Sequence, residues 1–131
     1  MSESVSARLI ASAAAIQLNS GTVAAPGVIP WPATIAASGT FGPVVVATGG
    51  NPHIAIGGTL SNAGTLTIQP CLDVLGNINN GAAITAALVA ATAFISDTKL
   101  TVVAQSLKIS IVNGAASVAN LTNPIAVVAN S

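Results

Sequence analysis

The stretch that most constrains what this chain folds into is Leu107-Lys108-Ile109-Ser110-Ile111-Val112-Asn113-Gly114-Ala115-Ala116-Ser117-Val118. Leu107, Ile109 and Ile111 alternate with Lys108 and Ser110, and the period of two along a strand sends the branched apolar side chains to one face and the polar ones to the other. That is a half-buried strand. Asn113-Gly114 is the dipeptide that supplies the positive-φ residues of a type I′ turn. A hairpin is therefore expected, with Ile111 opposite Ala116 and Ile109 opposite Val118. The pattern names a fold class and no chemistry.

The same grammar recurs upstream. Val44-Val45-Val46-Ala47 is a short strand ended by Thr48-Gly49-Gly50-Asn51-Pro52, and Ile54 to Leu60 forms a second. Ser61-Asn62-Ala63-Gly64 turns the chain, and Thr65-Leu66-Thr67-Ile68-Gln69-Pro70 alternates with Leu66 and Ile68 toward the core. Cys71 to Leu75 leads into a polar loop, Gly76-Asn77-Ile78-Asn79-Asn80-Gly81. Residues 82–95 fit a strand pair or an alanine-rich helix: Ile84, Leu88 and Ala91 have helical spacing, while Thr85, Val89 and Thr92 favour strand, the preferred reading. Ser96-Asp97-Thr98 reads as a turn and Lys99 to Gln105 as a strand with Leu100 and Val102 inward. Asn120 to Pro124 reads as a turn before a last strand, Ile125 to Ala129. Short strands roughly every 8 to 12 residues between Gly, Asn and Pro turns mark an antiparallel sandwich or barrel. The expected fold is an all-β, jelly-roll-like antiparallel β-sandwich with an N-terminal arm.

The first 20 residues leave two readings open. Val5, Leu9, Ala13 and Ile16 fall at near-helical spacing behind a Ser2-Glu3 cap, whereas Ile16-Gln17-Leu18 alternates as a strand does. Between residues 21 and 43, Pro26, Pro30, Pro32 and Pro43 with several glycines exclude helix and central strand alike. The division is thus residues 1-43 as arm and Pro/Gly-rich strap, and residues 44-131 as the β-sandwich domain. Trp31, flanked by prolines, is either an anchor in a neighbouring subunit or a lid over the sandwich. Leu9, Ile16, Val28, Ile29 and Trp31 are the candidate interface residues.

Charge is scarce: 5% of the 131 residues are charged, the net charge is zero and 52% are hydrophobic. Self-repulsion is then too weak to hold copies apart, which implies a surface covered by partners. Three cations cannot neutralise a run of phosphates, so nucleic acid is not an expected partner. A membrane span is not expected either, because the best window, residues 82–95, falls short of the roughly 20 apolar residues a bilayer requires. The first residues lack the pattern of a secretory signal peptide and read as unprocessed.

His53, Cys71 and Asp73 are the one trio with the elements of nucleophile, base and orienter, but no motif fixes their geometry. A lone imidazole at a strand start and a lone thiol after a proline are more simply a surface hydrogen-bonder and a packing group. One His, one Cys and scattered carboxylates match no metal-ligand spacing. Gly49-Gly50 and Gly57-Gly58 lack the following Gly-Lys-Ser/Thr of a phosphate loop. No catalytic residue, metal or cofactor is expected.

Residues 53 to 123 resemble the small β-sandwich modules of tailed-bacteriophage structural proteins, above all head decoration (cement) proteins. The likeness rests on Gly58-Thr59-Leu60-Ser61-Asn62-Ala63-Gly64-Thr65-Leu66-Thr67-Ile68-Gln69 with Asp73 soon after, and on the late stretch Leu107 to Ala116. The resemblance implies a non-enzymatic virion protein on the outer capsid surface. It would be a homo-oligomer, commonly a trimer, that stabilises the shell by binding across subunits of the major capsid protein. The alternative is a tail-fibre or spike module that binds host surface glycan.

Overall fold

The computed structural model describes residues 29–130 together with the short strand Ile16–Gln17. The strands are β1 (Ile16–Gln17), β2 (Thr34–Ile35), β3 (Thr40–Ala47), β4 (His53–Leu60), β5 (Gly64–Cys71), β6 (Ile84–Leu88), β7 (Thr92–Lys99), β8 (Ser106–Asn113) and β9 (Ala119–Ala129). They form two antiparallel sheets, one ordered β1-β9-β4-β7 with β2 also on β9, the other ordered β3-β8-β5-β6. The expected all-β sandwich is what the chain adopts.

The pairings β5 with β6, β4 with β7, β3 with β8 and β2 with β9 are nested. The backbone is thus one long hairpin, bent at the loop between β5 and β6 and then rolled so that β8 meets β5 and β9 meets β4. That rolling makes a jelly roll, and it turns one face of each sheet inward. Ile54 and Ile56 on β4, Leu66 and Ile68 on β5, Leu107, Ile109 and Ile111 on β8, and Val128 on β9 are almost wholly buried between the sheets. Each occupies an inward position of an alternating strand. The strap joins the body: Ile29 is fully buried, β2 pairs with the start of β9, and β3 begins at Thr40.

Several local expectations are corrected. β8 alternates as expected, but the chain after Asn113-Gly114 does not return beside it, and β9 pairs with β4 in the other sheet. The cause is Asn113, whose buried amide donates to the carbonyls of Ile35, Ala36 and Ser117 and accepts from the Ala115 N–H. These bonds steer the backbone across the sandwich. Gly114 serves close approach, since a Cβ there would lie 3.0 Å from the Ala63 carbonyl oxygen.

Residues 82–95 hold β6 and the start of β7, which lie in different sheets. Ser96-Asp97-Thr98 lies inside β7, where an edge position tolerates polar residues, and residues 100–105 form a loop. The Asn123-Pro124 signal marks a bulge within β9. Asn123 has φ of 51°, and the partner register on β4 slips between Gly57 and Thr59.

Candidate functional site

The structure does not assemble the His53, Cys71 and Asp73 trio. His53 opens β4 on the outer face of its sheet, because Ile54 beside it points inward, and its Nε2 pairs with the Asp97 carboxylate on the adjacent β7. Cys71 closes β5 in the other sheet, fully buried, with its Sγ near the Gln69 carbonyl and the Asn79 side-chain oxygen. The Asp73 carboxylate accepts the backbone N–H groups of Ile78 and Asn77 at 2.8 and 3.0 Å. Each member has its own local partners. Among the described residues no group of three His, Cys, Asp or Glu side chains is placed to hold a metal ion. The His53–Asp97 contact escaped the sequence because its residues are 44 apart and Asp97 reads locally as a turn residue.

Of the five candidate interface residues, Leu9 and Val28 lie outside the described residues, and Ile16 is placed on β1 by its backbone pairing with Val128. Ile29 is taken up by the chain's own core and offers a partner nothing. Trp31 is half-buried, its ring 5.8 Å from that of Phe41 and packed against the core.

What the surface does present is aliphatic, and much of it is gathered at the loop where the long hairpin bends. Leu72, Val74, Leu75 and Ile78 are exposed there, with Leu75 at 71%, and Val103 on the neighbouring 100–105 loop is also 71% exposed. Leaving so many branched side chains in water costs a protein solubility. This loop is nevertheless held in shape. The Leu72 N–H donates to the Ile78 carbonyl, the Ser106 hydroxyl anchors the Asp73 carbonyl at 2.6 Å, and the Asn80 amide ties the loop to the Val103 carbonyl. Gly76, with φ of 75°, brings the backbone so close to Val45 that a Cβ would lie 2.8 Å from a valine methyl.

The Ile78 N–H lowers the Asp73 pKa most; slight desolvation opposes it and the Asn77 N–H adds to it. The ionised carboxylate therefore shapes the loop that displays the aliphatic groups.

Two shallow cavities of about 320 and 330 Å³ flank the 100–105 loop at the same end, lined by Ile84, Leu100 and Val102 and by Pro52, Val103 and Ala104 respectively. The described charges Asp73, Asp97, Lys99 and Lys108 all lie toward this end: Lys99 is level with His53, and Lys108 with Gln69 and Val45. The outer face of the β1-β9-β4-β7 sheet adds a further apolar area, where Ile95 and Ile125 stand on either side of Gly57. No protein-family model matches this chain, and no curated protein matches it.

Proposed function

We propose that this chain is a structural virion protein that decorates a phage capsid and stabilises it by binding across subunits of the major capsid protein. It acts as a symmetric homo-oligomer on the outer surface of the shell, a trimer being the expected state. The observation that carries this reading is the pre-shaped, aliphatic end of the sandwich on a chain with almost no charge. A loop fixed by hydrogen bonds loses little conformational freedom when it docks, so its apolar area converts efficiently into binding. Burying about 1,000 Å² of apolar surface per copy is worth roughly 25 kcal/mol before the costs of association are deducted. The mechanism is mechanical and needs no reacting group.

The glycan-binding alternative has less support. Sugar recognition usually employs an exposed ring, and here Trp31, Phe41 and Phe94, the chain's only aromatic residues, are all packed against the core. The test is a particle one. Purified particles that carry the chain should release their contents at a higher temperature than particles stripped of it, and adding the chain back should restore the difference. Equal release temperatures would overturn the reading, and binding of the isolated chain to a glycan array would favour the alternative.

A further inference from the structure

An asparagine followed by glycine can modify itself. The glycine backbone nitrogen attacks the asparagine side-chain carbon, the new N–C bond closes an imide ring, and the amide nitrogen leaves as ammonia with the proton that the backbone gave up. Water then opens the ring at either carbonyl, leaving an aspartyl link or an isoaspartyl link with an extra main-chain carbon. Glycine suits the closure because no Cβ crowds the ring. In a folded chain, burial and hydrogen bonds on the side-chain amide and on the glycine N–H hold the reaction back until the site opens.

The chain has two such pairs, Asn80-Gly81 and Asn113-Gly114, and they differ on every count. Asn113 is 1% exposed, its amide meets the carbonyls of Ile35, Ala36 and Ser117 and the Ala115 N–H, and the Gly114 N–H donates to the Ala63 carbonyl at 2.9 Å. Closing a ring there means taking apart the crossing between β8 and β9. Asn80 is half-buried beside an exposed Gly81, and its amide makes a single bond, 2.8 Å to the Val103 carbonyl. Among the described residues the Gly81 N–H meets no acceptor. The fold also calls for both members of this pair. Gly81 has φ of 85°, a Cβ on it would lie 3.0 Å from a Val102 methyl, and Asn80 ties the β5–β6 loop to the 100–105 loop.

We propose that Asn80-Gly81 is a self-modification site, at which the loop between β5 and β6 converts to the aspartyl or isoaspartyl form and lets go of the 100–105 loop. The Val103 carbonyl then loses its donor and faces a carboxylate oxygen, and two acceptors at that separation repel. The isoaspartyl form also lengthens the backbone between the Asn80 N–H, bonded to the Pro70 carbonyl at 2.9 Å, and the start of β6 at Ile84. The reaction needs no reactant but water, so the fraction converted records the age of a copy. It does not depend on the capsid reading.

The test is to age the full chain in mildly alkaline buffer made with heavy-oxygen water and to map the incorporated oxygen by peptide mass spectrometry. Uptake at Asn80 should be about tenfold faster than at Asn113 or more, because the buried pair must wait for a larger opening. Asn80→Gln, whose longer side chain would have to close a larger ring, should abolish uptake at that position and leave Asn113 as slow as before. Asn80→Asp supplies the product from the outset and should quicken amide exchange at Leu100 and Gln105, whose N–H groups fasten the two ends of the 100–105 loop to the Pro52 and Cys71 carbonyls. Uptake at Asn113 that matches or exceeds that at Asn80, no uptake at Asn80 after an unfolded peptide of the same residues has converted completely, or unchanged exchange in Asn80→Asp would each overturn the proposal.

Discussion

Two side chains of similar shape do opposite work at the two ends of the sandwich. Asn113 ends β8 and Asp73 follows β5, and both clamp the backbone that comes after them with side-chain hydrogen bonds. Asn113 is 1% exposed and also grips the carbonyls of Ile35 and Ala36, so it ties the strap to the crossing between β8 and β9. Asp73 lies near the surface and shapes a loop whose apolar groups face outward. The neutral amide fixes the topology and does not titrate. The carboxylate fixes a display and does.

The largest effect separating the two ends should come from Asn113→Ala. It leaves buried carbonyls and an N–H without partners, and denaturant unfolding should report a loss of about 3 kcal/mol; a loss below about 1 kcal/mol would remove Asn113 from its place in the comparison. Next is Gly64→Ala, beside Asn113 in the ladder, where a Cβ would lie 2.2 Å from the Val112 carbonyl oxygen. The backbone must shift, and about 2 kcal/mol should be lost in the same measurement.

At the other end, Asp73→Ala should leave global unfolding little changed while amide exchange at Asn77 and Ile78 quickens, because only the loop opens. The pH dependence has a definite sign. The folded Asp73 pKa is lowered, chiefly by the Ile78 N–H, so its contribution is fully present above the ordinary aspartate value and is lost as pH falls through the lowered folded value. Protection of the Ile78 amide, followed by NMR, should therefore collapse only below that ordinary value; collapse near neutrality would point to another group. The smallest effect on stability belongs to Leu75→Ser, within about 0.5 kcal/mol, yet attachment to purified capsids should weaken.

The strands were far more legible in the sequence than their partners. Alternation exposed the inward rows of β5 and β8 because burial on one face leaves a local trace. Which strand lies beside which is decided over long separations, and the Asn113-Gly114 pair looked like a hairpin turn because nothing local reveals that its amide binds Ile35 and Ala36. Polar residues misled in the same way at Ser96-Asp97-Thr98, where an edge strand accepts what a central one would not. At the candidate site, the charge poverty was plain to see, while the aliphatic display was hidden. Leu72, Val74, Leu75 and Ile78 have the composition of a core, and the Asp73 clamp, with the Ser106 and Asn80 side-chain bonds, holds the loop in which they are exposed.

The sealed position of Cys71 gives the molecule its own reporter. With a thiol that is 0% exposed in the folded chain, an alkylating reagent finds nothing to attack until the strand end beside the Asp73 loop comes away. The rate at which label is taken up therefore times that opening without any engineered probe. It would also tell a bound copy from a free one, since a copy clamped against another protein should take up label more slowly.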